Sequence, residues 1–425
     1  MTTAIDTRRH DIDALRVIAF GLLILYHVGM VFVHDWGFHI KTPHQWTWLQ
    51  WPMVGVNRWR MELIFLLSGL ALGLSRSADR PGRLIGRRSR MLLVPLVFGM
   101  LAVVPIQAWV EASANGAFDA GFGAFLLRYW QLRPWPAGEF AGAEFGITWN
   151  HLWYLAYLWA YTMALVPLLA LARRLRTPIA AVHSAPPRTL AGGLLLLAPV
   201  GWLLFTLNVL EPRYGDTKTL VDDWAQHAMY FPVFLFGFWL ARRPAAWRRV
   251  VELRRVSLSV ALSGLTLYMG LRVAGRVLDP AGIAALPDWN WTLISDSAHA
   301  LYAWSALLAI LGFGAVSLNR PFRWLPYANR AVYPWYILHQ SLVVPLAWLL
   351  IPLALPGALE ASILLLGTIA GCALLHHFVI LRARLLWPLF GVNAPARRSI
   401  SARPYTQPAG ENAAISAATD GPRYG

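Results

Sequence analysis

Arg16 and His27 stand eleven positions apart in "LRVIAFGLLILYH", with ten uncharged residues between them. At 3.6 residues per turn, eleven steps are about three full turns, so the two side chains project from nearly one face of a helix. A rise of about 1.5 Å per residue separates them by roughly 16 Å along its axis. An imidazole, with its ordinary pKa of about 6.5, suits proton transfer at neutral pH. Inside an apolar run an ionisable side chain is costly, and function is its default reading. The bland alternative is a histidine hydrogen-bonded to a neighbouring helix. Asp11 and Asp13 flank the helix start, where negative charge complements the dipole, and Asp13 lies three residues before Arg16, in reach of it.

Glu62, in "RWRMELIFLLSGLALG", is a second ionisable group expected at a depth similar to His27. A carboxylate there can orient the imidazole and stabilise its protonated form, or simply pack beside Arg58 or Trp59. Ser68-Gly69 is a small pair suited to close helix contact. "RPGRLIGRRSRMLLVP" is dense in arginine, including Arg87 and Arg90. Bidentate guanidinium groups suit phosphates and hence a phosphate-bearing donor such as coenzyme A. Ordinary topology arginines with anionic lipid around them explain the same composition. "WNHLWYLAYLW" supplies His151 and Trp153, and "AVYPWYILHQSL" supplies His339. All three are candidates for substrate contact, although aromatic-flanked histidines also serve as membrane-edge anchors.

The elements that must carry these residues are helices in a bilayer. Of 425 residues 57% are hydrophobic and 14% charged, against about a quarter charged in a soluble domain. Apolar runs long enough to cross a membrane recur. Ten spans are expected, near 15–34, 53–75, 91–110, 151–171, 190–210, 227–241, 256–273, 293–316, 331–352 and 360–381. The fold class is therefore all-α and polytopic. No cleavable signal is expected before the first run.

The net charge of +16 is a matter of topology rather than nucleic-acid binding, because the positives sit in alternate loops. Twenty-seven basic residues fall on one side and nine on the other, which by the positive-inside rule predicts that both termini are cytoplasmic. The 111–150 loop is expected on the outside, either over a site or as an aromatic belt. Residues 1–392 read as one membrane domain and 393–425 as a disordered tail. Cys372 is the sole cysteine, so neither an internal disulfide nor a thiolate metal cluster is expected. The internal repeat of many transporters is not found.

Five segments in order resemble the membrane acyltransferase 3 family. "DALRVIAFGLLILYH" is similar to its motif of arginine, ten residues, histidine. "MELIFLLSGLAL" resembles its second-helix segment ending in Ser-Gly, and "GRRSRMLLVPLVFG" its R-x-x-R motif, carried by Arg87 and Arg90. "HLWYLAYL" and "YPWYILHQ" resemble its later helices. The second and last of these look most like the branch containing glucan biosynthesis protein C, a succinyltransferase of periplasmic glucans. Many relatives have Asp where this chain has Glu62.

The resemblance implies an integral O-acyltransferase of a bacterial-type inner membrane. It would move an acyl group, acetyl or succinyl, from cytoplasmic acyl-coenzyme A to a hydroxyl of an envelope glycan. By position, His27 is the motif histidine, and Arg16, Arg87 and Arg90 would hold the donor. The residues themselves are compatible, since a thioester and an alcohol need a base and shelter from water. The competing expectation is a proton-coupled transporter or flippase of sugar-linked substrates, with His27 and Glu62 as a relay.

Overall fold

A computed structural model describes residues 8–75, 80–174, 188–277 and 288–392. The expected disordered tail at 393–425 lies outside the described residues, as do Arg76 and Arg176 of the charge count. The helices in chain order are α1 (His10–Phe32), α2 (Gln50–Asn57), α3 (Arg60–Leu74), α4 (Pro81–Phe98), α5 (Pro105–Ala114), α6 (Phe122–Tyr129), α7 (Trp153–Arg174), α8 (Arg188–Phe205), α9 (Glu211–Tyr214), α10 (Trp224–Ala241), α11 (Pro244–Glu252), α12 (Arg254–Val277), α13 (Asp288–Ser317), α14 (Leu325–Leu350) and α15 (Gly357–Leu374). Among the described residues β-structure is limited to one isolated bridge, Val33 to Trp46.

Among the described residues seven stretches are long and apolar enough to cross a membrane: His10–Phe32, Pro81–Ala114, Asn150–Ala172, Arg254–Gly275, Trp291–Ser317, Leu325–Leu353 and Gly357–Ile380. They answer to seven of the ten expected spans. Of the other three, one is cut short. The expected span 53–75 is broken at Arg58-Trp59, leaving α3 with 15 residues, about 22 Å of helix against a hydrocarbon core of about 30 Å. Helix α10 has 18 residues with Pro232 inside it and covers the expected 227–241, and the expected 190–210 is helical throughout, α8 continuing through a π-helical turn at Thr206–Leu210 into α9.

The short helices α3 and α10 pair with one another. A Cβ at Gly69 would fall 2.0 Å from the carbonyl oxygen of Phe234, and one at Gly237 would fall 2.3 Å from that of Leu66. These glycines therefore let the two backbones touch, the arrangement that small residues serve inside membranes. Ser68, next to Gly69, turns the other way and hydrogen-bonds Tyr154 Oη at 2.5 Å.

Between α4 and α5 lies a second π-helical turn, Gly99–Val103. Such a turn leaves carbonyls without their usual partners. Here two of them accept from the segment expected as a long loop: Tyr129 Oη donates to Met100 O at 3.2 Å and Trp130 Nε1 to Leu101 O at 2.9 Å. That segment is folded. Phe125, Tyr129, Trp135 and Phe140 form a small aromatic core of their own beside α5.

The connection after α1 is also fixed. Lys41 Nζ donates to Met30 O at 2.8 Å and to Val33 O, filling acceptors at the helix end. Thr42 Oγ1 donates to Glu360 Oε2 at 3.0 Å and ties the same segment to α15. Helix α1 packs on α14, α3, α13 and α15, which puts its His27 face at the centre of the bundle.

Candidate functional site

A chamber of about 760 Å³ opens where α1, α3, α5, α7, α10 and α14 meet. Its wall includes His27, Glu62, His151 and Trp153, four of the residues singled out from sequence, together with His39, Glu111, Arg58, Arg60, Tyr154 and Tyr336. Exposed Asp216 and Lys218 sit on its rim, so it reaches the surface on the side away from the arginine-rich start of α4. His27 thus faces an internal space and not lipid.

Hydrogen bonding assigns the protons. His339 Nδ1 lies 2.8 Å from Tyr336 O and 3.1 Å from Trp335 O. Carbonyls only accept, so this nitrogen carries the hydrogen. In a neutral His339 the Nε2 is then an acceptor, and it lies 2.9 Å from His27 Nδ1. His27 therefore donates from Nδ1 and keeps its lone pair on Nε2, which bonds to no described residue.

His151 is committed in the same way. Its Nε2 lies 3.0 Å from Tyr336 O and 3.2 Å from Ile337 O, and its Nδ1 lies 3.4 Å from the Gln107 amide nitrogen. Both nitrogens of His339 and of His151 are thus occupied. Among the three histidines named from sequence, His27 alone offers a basic nitrogen to the chamber.

Glu62, expected as the group that orients His27, does not bond to it. His339 holds that position. Glu62 sits in the first turn of α3, buried, within electrostatic range of Arg58 and Arg60, and its Oε2 has no hydrogen-bond partner among the described residues. Arg60 is held by its neighbours: Nη2 donates to Asn57 Oδ1 at 3.1 Å, and the guanidinium lies 3.5 Å from the Tyr26 ring centre. Its charge is felt at His27 and His339.

The arginine motif divides by face. Leu84 and Leu92 are fully buried, and Arg88 stands midway between them on that i, i+4, i+8 stripe. Arg88 shares with Arg16 the surroundings of Tyr154 and Tyr333. Arg87 and Arg90, the expected donor contacts, lie off that stripe and are exposed. The structure therefore brings Arg88 to Arg16. The apolar stripe is the signal that identifies it.

His39 and Glu111 were not foreseen. His39 Nδ1 bonds Glu111 Oε2, Gln340 Nε2 approaches His39 Nε2 at 2.7 Å, and Glu111 Oε1 accepts from Ala141 N at 3.1 Å. The pair joins the segment after α1 to α5 and α14. Among the described residues no group of three or more histidine, cysteine, aspartate and glutamate side chains is placed to hold a metal ion.

Comparison with known proteins agrees with this architecture. BcsY of Komagataeibacter xylinus, described as a candidate membrane-bound transacylase, is 30% identical over 190 residues. That match spans 42% of this chain and 42% of the relative. No solved structure matches. A family model described as an acyltransferase domain matches residues 9–377, nearly all of the helical unit. The chain is a multi-pass membrane protein and belongs to the acyltransferase 3 family.

Proposed function

We propose that the protein transfers an acyl group from acyl-coenzyme A to a hydroxyl acceptor that enters the chamber, with His27 Nε2 as the general base. The observation that carries this reading is the fixed tautomer of His27: its proton is committed to His339, and its lone pair faces a space large enough for substrate. The acceptor O–H gives its proton to Nε2 as its oxygen attacks the thioester carbon. The C–S bond then breaks, and the imidazolium returns the proton to the leaving thiolate. The positive charge of Arg60 lies close enough to His27 and His339 to favour the oxyanion that forms between these steps.

Arg16 and Arg88 would hold the phosphates of the donor, at the end of α1 that carries the arginine-rich start of α4. Arg87 and Arg90 would attract it from outside. That end would face the cytoplasm of a bacterial-type cell and the chamber mouth the periplasm, the acceptor being a glycan of the envelope. An acetyl or succinyl group is the expected cargo. BcsY, described as a transacylase, supports the reaction class.

The test is turnover of labelled acetyl- and succinyl-coenzyme A by purified protein with envelope glycan, with and without His27→Ala. Loss of a general base costs about 10²- to 10⁴-fold. His27→Ala protein that stays folded and transfers at the wild-type rate would remove the proposed base. A wild-type protein that moves sugar-linked lipid without releasing coenzyme A would favour the transporter.

A further inference from the structure

Phe20, Tyr154 and Tyr336 form the inner end of the chamber. Their rings make a closed edge-to-face triangle: Phe20 to Tyr336 is 5.3 Å between centres at 80°, Phe20 to Tyr154 is 6.3 Å at 67°, and Tyr154 to Tyr336 is 5.9 Å at 82°. Such separations are those of rings in contact, so the triangle has no opening at its middle. Its place along α1 follows from helix geometry. Phe20 is one turn beyond Arg16 and two turns short of His27, on the same face as both. Arg16, Arg88 and Tyr333 do not line the chamber, whereas His27 does. The three rings therefore separate the arginine site from the base.

The members are not equally free. Tyr154 Oη is 2.5 Å from Ser68 Oγ, and Tyr336 Oη donates to the backbone oxygen of His151 at 2.5 Å. Tyr154 is also braced by Phe65, 4.9 Å away between ring centres. Phe20 has no polar anchor and is only partly buried.

We infer that Phe20 is the moving side chain of an aromatic filter that selects the donor's acyl group by size. This inference rests on the reading that a donor held at Arg16 and Arg88 reaches toward His27. Only an acyl chain that fits the gap left when the Phe20 ring swings aside can deliver its carbonyl to the base. The two tyrosines give that gap fixed walls. Between turnovers the closed triangle keeps the arginine side and the chamber from exchanging water.

The experiment compares wild type with Phe20→Ala, Phe20→Leu and Phe20→Trp in detergent, using acetyl-, isobutyryl- and benzoyl-coenzyme A, which differ in width, and reading coenzyme A release with acceptor present. Binding of coenzyme A alone is measured in parallel and is expected to be equal in all four proteins, because its site lies below the filter. The benzoyl-to-acetyl rate ratio should rise about tenfold or more in Phe20→Ala, less in Phe20→Leu, and fall in Phe20→Trp. Phe20→Leu carries the test if Phe20→Ala does not fold. Unchanged ratios in folded variants of an active enzyme would overturn the filter alone. A wild-type protein that binds and turns over no acyl-coenzyme A would overturn the filter together with the reading on which it rests.

Discussion

Replacing His339 separates orientation of the base from the base itself. In His339→Ala the Nδ1–H of His27 loses its acceptor. A buried donor left unpaired costs about 1–3 kcal/mol, and the ring can avoid that cost by adopting the other tautomer or by turning. Either response removes the lone pair from the chamber. If the whole cost falls on the reactive arrangement, each 1.36 kcal/mol is about tenfold in rate, so kcat should fall by about 5- to 150-fold. KM for acyl-coenzyme A should change little, because Arg16 and Arg88 are untouched. His339→Gln is the informative partner. Its Oε1 falls near the place of the lost Nε2 and accepts from His27 Nδ1, so it should recover activity to within about tenfold of wild type on the same scale. Steady-state transfer from labelled acyl-coenzyme A, with thermal unfolding of each variant as the control, measures all three proteins. Equal, near-wild-type kcat in folded His339→Ala and His339→Gln would refute the tautomer argument. Equal, deep loss in both would instead give the His339 ring a role of its own.

Three further outcomes follow from other contacts. Arg88→Ala should raise KM for acyl-coenzyme A by about tenfold or more, the loss of one charge-assisted contact of about 1.5–3 kcal/mol, whereas exposed Arg87→Ala should change it less; the reverse order in steady-state kinetics would place the donor on the outer face of α4. Gly69→Leu should lower the melting temperature in detergent sharply, because any side chain there meets the Phe234 carbonyl and α10 cannot retreat without opening the core; a melting temperature unchanged from wild type would show that the two helices do not touch there. Burial pushes Lys41 down from 10.5 to about 8. The folded protein therefore gives up this proton before the unfolded chain does, and from about pH 8 to 10.5 the unfolded state binds more protons, so stability rises with pH. The melting temperature of wild type relative to Lys41→Met should climb across that window and be flat below it.

Much of the site was legible because the cost of an ionisable group in an apolar run is a property of sequence alone. That argument reached His27 and Glu62, and motif order added His151, Trp153 and His339. What sequence could not supply was which groups touch. Helical spacing within α1 aligned Arg16 with His27, but the partner of His27 comes from α14, 312 positions later. His39 and Glu111 were missed for a related reason. One lies in a segment without a repeating pattern. The other follows a π-helical turn, which inserts a residue into the helical register and rotates everything after it. Arg88 was within reach: the R-x-x-R spacing drew notice to Arg87 and Arg90, while the Leu84 and Leu92 stripe marks the inward face. Seven of the ten expected spans are long apolar helices among the described residues, while a break at Arg58-Trp59 leaves α3 short, and Gly69 and Gly237 let it pack closely on α10.

A neutral histidine behind the base, where hydrolase triads place a carboxylate, suits the second half of the proposed reaction. A carboxylate in direct contact holds the proton of an imidazolium, which helps the alcohol attack but resists giving the proton back. Here the leaving group is a thiolate, whose conjugate acid has a pKa of about 8.5, against about 6.5 for an imidazolium. Proton return is already downhill by about two units, so the base needs a fixed direction more than it needs an ion-pair partner. His339 provides direction without charge. Glu62 stands apart beside Arg58 and Arg60, with no bond to His27, and so takes no part in fixing that direction.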